Sequence, residues 1–155
     1  MKKSNNSMGI KFKIVTPERI VYEDEIDALT LPTAMGEITI LPHHIPLVST
    51  VAPGELVVRK GNEAHPMAIS GGFVEVREGD QVTVLADTAE RVQEIDMARA
   101  EEAKERARKL LAERQADDVD YAALAAKIEK ELARLKVARK YARLKRPGPQ
   151  ISKEE

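Results

Sequence analysis

No cysteine occurs among the 155 residues, which excludes disulfides, thiolate nucleophiles and cysteine-ligated metal together. Tryptophan is absent too, and aromatics make up 3% of the chain, too few for the stacking platforms that hold single-stranded nucleic acid. No stretch reaches the roughly 20 consecutive apolar residues of a membrane-spanning helix, and the N-terminal MKKSNNSMG lacks the apolar centre of a signal peptide, so a soluble intracellular protein is expected. Neither sign of charge prevails: 25 Lys and Arg stand against 26 Asp and Glu, for a formal net charge of -1. That balance argues against generic nucleic-acid binding, which wants a basic excess across a domain. Proline and glycine are missing from Thr88 to Arg146, a gap that suits long helices.

What is present divides at the stretch Ala86 to Arg106. Before it, apolar residues alternate or form short runs broken by Gly and Pro; after it, they recur every three or four residues in charged segments. The period changes from two to 3.6, and two architectures are expected to meet there. In the first half, Ile10 to Val15 reads as a half-buried strand. Arg19 to Tyr22 and Ile26 to Leu31 read as two strands separated by the acidic Glu23-Asp24-Glu25. The segments Glu37 to Leu41, Leu47 to Val51, Glu55 to Arg59, Pro66 to Ser70, Phe73 to Arg77 and Gln81 to Ala86 follow, with turns at Lys60-Gly61-Asn62 and Glu78-Gly79-Asp80. Eight to ten short strands at this spacing predict an antiparallel β-sandwich or flattened barrel over residues 10–86. Ser70-Gly71-Gly72 reads as a tight connection needing unusual φ and ψ.

Residues 87–146 predict a two-helix hairpin, so the fold class is α+β. A first helix starts near Asp87 or Asp96 and ends near Arg114, with Met97, Ala100, Ala103, Ala107, Leu110 and Leu111 as its apolar stripe. After a polar connection, capped by Asp118 or Asp120, a second helix carries Leu124, Ile128, Leu132, Leu135, Ala138 and Ala142. The two are expected to pair antiparallel. Residues 1–9 and 147–155 read as polar, unstructured ends. Much of the helical stripe is alanine, and each buried methyl contributes only about 0.8 kcal/mol. Ala, Glu, Lys, Arg and Leu favour helix intrinsically. Helices that persist when undocked and dock weakly make a switch.

Several residues invite chemical readings. Three histidines, His43, His44 and His65, form too poor a constellation for a metal site, and none is expected. Asp87, Glu90 and the Glu23-Asp24-Glu25 run have no accompanying base or pocket signature and read as solvated carboxylates, and no catalytic residues are expected. No Gly-rich phosphate loop occurs, so a nucleotide would be bound without hydrolysis. Asp96, three positions before Arg99, suits an N-cap. Arg99 and Arg106 stand two turns apart on one helix face and could share an anion, or serve as exposed partners of nearby Glu.

Four segments, GEITILPHHIPL from Gly36, SGGFVEV from Ser70, VTVLADTAERVQEID from Val82 and IDMARA from Ile95, together resemble the epsilon subunit of bacterial F-type ATP synthase. The resemblance spans about residues 10 to 144. It implies a non-catalytic central-stalk subunit of a proton- or sodium-driven synthase, peripheral on the cytoplasmic face of the bacterial plasma membrane. The sandwich would seat on the gamma subunit and the c-ring. The hairpin would fold down beside the sandwich, or extend toward the beta and alpha subunits and block ATP hydrolysis, its late basic residues facing acidic loops of beta. No cofactor is required, with ATP as a regulatory ligand favouring the folded-down form. Ile95, Asp96, Arg99 and Ala100 fill the family's IDxxRA motif, with Glu90, Arg106, Lys130 and Arg134 completing the implied ATP site. Lys130 replaces an Arg common in ATP-binding members, which keeps charge but loses the planar fork. Glu37 and His44 would meet the c-ring, in a loop where Thr39 and His43 replace glycines common in the family. The alternatives are a stand-alone ATP-sensing protein and a static coiled-coil adaptor.

Overall fold

The computed structural model describes residues 9–113 and 119–144. Along the described chain come β1 (Ile10–Val15), β2 (Ile20–Ile26), β3 (Ala28–Thr33), β4 (Gly36–Ile40), β5 (Leu47–Val51), β6 (Gly54–Lys60), β7 (Glu63–Ile69), β8 (Gly72–Arg77), β9 (Gln81–Ala86) and β10 (Ala89–Arg91). A single 3-10 turn at Val92–Glu94 leads into α1 (Met97–Ala112) and α2 (Val119–Leu144). The strands form one sheet in the order β10-β7-β6-β3-β5-β8-β9-β1-β2, with β4 paired to β3. Its last strand runs directly into its middle through Asp27, whose N–H donates to Arg59 O at 2.8 Å. The sheet thereby folds into a nearly closed sandwich, and α1 and α2 complete the expected α+β architecture.

Alternation decides which side chains fill the interior. In β1, Ile10, Phe12 and Ile14 are buried between exposed or half-buried neighbours, and Leu29, Leu31, Ile40, Leu56, Met67, Ile69, Val74 and Val84 close the same core. Among the described residues, every buried member of this cluster falls between Ile10 and Ala89, so the sandwich completes its apolar interior without either helix. Most pairings are antiparallel, while β1 and β9 run parallel.

Three local findings differ from the sequence reading. The acidic run Glu23-Asp24-Glu25 does not separate two strands but lies within β2. Its outward carboxylates face cations across the ladder, Lys13 opposite Glu23 and Lys11 opposite Glu25, and opposite charges in register support the pairing. The sheet also continues past Ala86, because β10 pairs with β7 through Ala89 opposite Ile69 and Arg91 opposite Met67. Asp87 therefore starts no helix, and Asp96 caps α1, its carboxylate accepting from Arg99 N at 3.1 Å. Asp120 sits inside the first turn of α2 and is not its cap, while Asp118 lies outside the described residues. The Gly71-Gly72 connection has φ of 112° and 142°. At Gly72 a Cβ would lie 1.9 Å from Leu85 O, so the turn into β8 requires glycine.

Glu101 near the start of α1 meets Arg139 near the end of α2 at 3.0 Å, as antiparallel helices require. Their stripes are only partly formed. Ala100 and Ala107 are the buried positions of α1, whereas Met97 and Leu110 are exposed. On α2, Leu135 and Ala138 are buried as the spacing predicts, but Leu132 is exposed, and Ala133 and Val137 are buried instead. The cause is that α2 contacts two bodies, α1 and the β6–β7 part of the sandwich, and one stripe cannot serve both.

Candidate functional site

The hairpin meets the sandwich through polar ties from α2 to two strands. At one, Arg134 on α2 donates through Nη2 to Glu90 Oε1 on β10 at 3.0 Å, and its Nε touches Glu90 Oε2. The same guanidinium donates through Nη1 to Glu131 Oε2, one turn earlier on α2, at 2.7 Å. Burial works against the charge of Arg134, but the Glu131 hydrogen bond and the charge of Glu90 outweigh it and hold its pKa above the ordinary guanidinium value. At the other, Glu55 on β6 accepts from Lys140 Nζ at 2.7 Å and from the Tyr141 hydroxyl at 2.5 Å. Burial, followed by the hydrogen bond to Glu55 and its charge, pushes the Tyr141 pKa up to about 12. Both sandwich contributions are carboxylates and the cations come from α2, so the docking surface has an acidic and a basic side.

Two hollows flank these ties. A groove of about 550 Å³ runs between α2 and the sandwich, bordered by Pro32, Glu37, Pro53, Leu132, Lys136 and Lys140 among others. A second of about 400 Å³, without a charged residue in its lining, lies where the 3-10 turn, β7 and the end of α2 meet, against Pro66, Val92, Ile95, Met97, Ala138 and Tyr141. The junction between sandwich and hairpin thus has free space beside Ile95.

The structure distributes the residues expected of a nucleotide site. Glu90 and Arg134 are in contact, Ile95 borders the apolar hollow, and Asp96 is engaged as the α1 cap. Ala100 is fully buried at 0% exposure and supports the helix pair sterically. Arg99 and Arg106 are exposed, and among the described residues their guanidinium groups have no ion-pair partner. Lys130 is half-buried on α2, also without an ion pair among the described residues. Sequence reasoning missed Glu131 and Glu55. Their signals were present, since Glu131 precedes Arg134 by three positions and Glu55 begins a strand with an outward carboxylate.

Glu37 is the second residue of β4, while His44 lies in the loop beyond the other end, its Nδ1 2.7 Å from Ile45 O; the two residues are separated by most of that strand. Beside them Met35, Leu41 and Ile45 are exposed, at 97%, 55% and 75%. His43 adopts φ of 65°, a left-handed conformation that glycine takes freely and other residues adopt at a cost. Its backbone N–H is held by the Asp80 carboxylate, which fixes the loop against the β8–β9 turn. Thr39 faces Thr30 across the β3–β4 ladder with the hydroxyls 2.9 Å apart. The structure also reveals an apolar row on the outer sheet face: Phe73 pairs with Leu85, Leu85 with Val15, and Val15 with Ile20. Phe73, Leu85 and Ile20 are each more than half exposed.

A family model of the beta-sandwich domain of ATP synthase delta/epsilon chains matches residues 9–92, and one of the long alpha-helix domain of the same chains matches residues 93–139. The chain is 44% identical over 142 residues to an ATP synthase epsilon chain of Dehalococcoides mccartyi, covering 92% of this chain and 98% of that one. It is 45% identical over 131 residues to one of Chloroflexus aggregans, covering 84% and 93%. Among solved structures, it resembles a chain of the Euglena gracilis mitochondrial ATP synthase (OSCP/F1/c-ring) with TM-score 0.63 and 26% identity, over 92% of this chain and 84% of that one. A chain of the Tetrahymena thermophila mitochondrial ATP synthase central stalk and c-ring shares the fold, with TM-score 0.52 at 14% identity over 85% and 95%.

Proposed function

Since the chain belongs to the delta/epsilon family of ATP synthase subunits, we propose that it works as the regulatory rotor subunit of a proton- or sodium-driven F-type synthase, peripheral on the cytoplasmic face of the bacterial plasma membrane. The subunit itself performs no chemistry. The sandwich joins the gamma subunit to the c-ring, and the hairpin regulates ATP hydrolysis by docking or by extending toward beta and alpha. One observation carries this reading: the apolar core cluster is complete within Ile10 to Ala89, and the hairpin is added to its outside through α2, with polar ties at Glu55 and Glu90. A body whose core does not need the hairpin can release it and remain folded.

The two apolar surfaces divide the partners. The row Phe73, Leu85, Val15 and Ile20 suits a flat contact with gamma, because water is released from several large side chains at once. The Glu37 and His44 segments, with exposed Leu41 and Ile45 between β4 and β5, suit the c-ring. Released Lys136, Arg139, Lys140 and Arg143 offer cations to acidic loops of the beta subunits.

ATP acts as a ligand of the docked form. Arg99 and Arg106, exposed on α1, are free to receive phosphates, and Ile95 borders space for an apolar ring. A ligand at about 100 times its Kd favours the form it binds by roughly 2.7 kcal/mol, comparable to a few exposed ion pairs and small buried groups. Two measurements test the reading. Deleting residues 95–155 spares β10 and should raise ATP hydrolysis by the assembled enzyme; unchanged hydrolysis would remove the regulatory role and leave a static adaptor. Calorimetric titration of the full chain with ATP should show saturable binding that weakens at least tenfold in Arg99→Ala, and no saturation at millimolar ATP would remove the nucleotide from the account.

A further inference from the structure

Among the described residues Glu131 is the only charged side chain that is buried, at 7% exposure. Its partner Arg134 also serves Glu90 on the sandwich, so one guanidinium is shared by two carboxylates from two bodies. No second cation among the described residues bonds to either carboxylate, and the docked cluster carries one negative charge in excess. The two carboxylates repel each other across the guanidinium they share, in surroundings where screening by water is reduced.

On release the balance changes. Glu90 stays with β10, while Glu131 and Arg134 remain neighbours three apart on one helix and keep an exposed pair of the kind that helices support alone. Arg134 therefore never becomes a bare charge, and the excess negative charge is dispersed. Glu131 disfavours the docked cluster and favours the released one.

We propose that Glu131 is a release residue, an internal counter-ion that keeps the Arg134–Glu90 tie from locking the hairpin onto the sandwich. The inference rests on the docked and released positions described above and concerns only how their balance is set. It makes a prediction of sign. A residue that merely braced Arg134 would loosen the hairpin when neutralised, whereas a release residue tightens it. Glu131→Gln keeps size and hydrogen-bonding capacity, leaving Arg134 and Glu90 as a one-to-one pair.

The chain has no native cysteine, so spin labels at Asn62→Cys on the sandwich and Arg143→Cys on α2, both exposed sites, report the released fraction of the full-length protein by paired-label distance. In this background Glu131→Gln should lower the ratio of released to docked hairpin by about threefold to tenfold, in the range of one partly buried like-charge contact. Glu90→Gln should raise it by a similar factor. In the double variant, Glu131→Gln should lose its tightening effect, because the repulsion it relieves has gone. A released fraction that rises or stays constant in Glu131→Gln, while Glu90→Gln still raises it, overturns the inference alone. If Glu90→Gln also leaves the distances unchanged, the tie does not govern docking and the two-position reading fails with it.

Discussion

The sandwich and the hairpin solve the same problem with different materials. Inside the sandwich the fully buried side chains are large, among them Phe12, Ile10, Ile14, Leu29, Leu31 and Met67, each contributing about 1.5–3 kcal/mol. The hairpin buries Ala100, Ala107, Ala133 and Ala138 beside Leu135 and Val137, and an alanine methyl contributes only about 0.8 kcal/mol. What the hairpin lacks in apolar contact it makes up with ionic ties, which are weak and exchangeable when partly exposed. Under the proposed function, the difference separates a body that would keep its shape while transmitting force from one whose position would change. In a rotary machine, those are the needs of a coupling element and of a regulator.

The comparison can be broken from either side. The largest effect belongs to the sandwich: Phe12→Ala should cost about 3–5 kcal/mol and lower the main thermal transition, and a loss below 1 kcal/mol would show that the core is not the stabilising body. Next, Ala100→Leu should overpack the helix pair by about 1–3 kcal/mol, separating α1 from α2 in hydrogen exchange while the sandwich transition stays in place. A shift of both together would merge the two regions into one cooperative unit. Asp96→Ala removes the α1 cap and should cost about 1 kcal/mol, read as fraying of the first turn of α1.

The remaining effect is the most local. The Tyr141 pKa is raised on docking to about 12, so its protonated hydroxyl supports the docked state fully below the ordinary tyrosine value near 10, and that support is lost as pH rises through about 12. Released fraction should climb across that window in the native chain and remain flatter in Tyr141→Phe. The same rise in both would place the alkaline sensitivity elsewhere.

Much of this contrast was legible in the residue order. The change of hydrophobic period at Ala86–Arg106 marks the junction, and the alternation in β1 and the Gly71-Gly72 connection follow from local sterics. Legibility failed where a residue's role depends on a partner distant in sequence. The run Glu23-Asp24-Glu25 reads as a break between two strands until Lys11 and Lys13 are set opposite it, and Thr88 to Arg91 looks like helix until β7 offers it an edge. Leu132 fits the α2 stripe by spacing, yet Ala133 and Val137 are buried because α2 contacts two surfaces. For the candidate site, the family resemblance, not any spacing in the chain, set Asp96, Arg99, Ala100 and Arg134 together. It could not show that Asp96 is engaged as a cap or Ala100 sealed by packing, nor that Arg134 is held by Glu90 and Glu131 together. Such roles arise from tertiary proximity, which no local pattern encodes.

The account stands on the claim that the hairpin has two positions and that their balance sets hydrolysis. The most direct test places the Asn62 and Arg143 label pair in the assembled enzyme and records its distance at millimolar ATP and after ATP removal, alongside the initial rate of hydrolysis when ATP is added back to each sample. The account predicts a single short distance at high ATP, a second, longer population as ATP is withdrawn, and a parallel loss of hydrolysis competence. One unchanged distance under both conditions, with hydrolysis competence still varying, would contradict it.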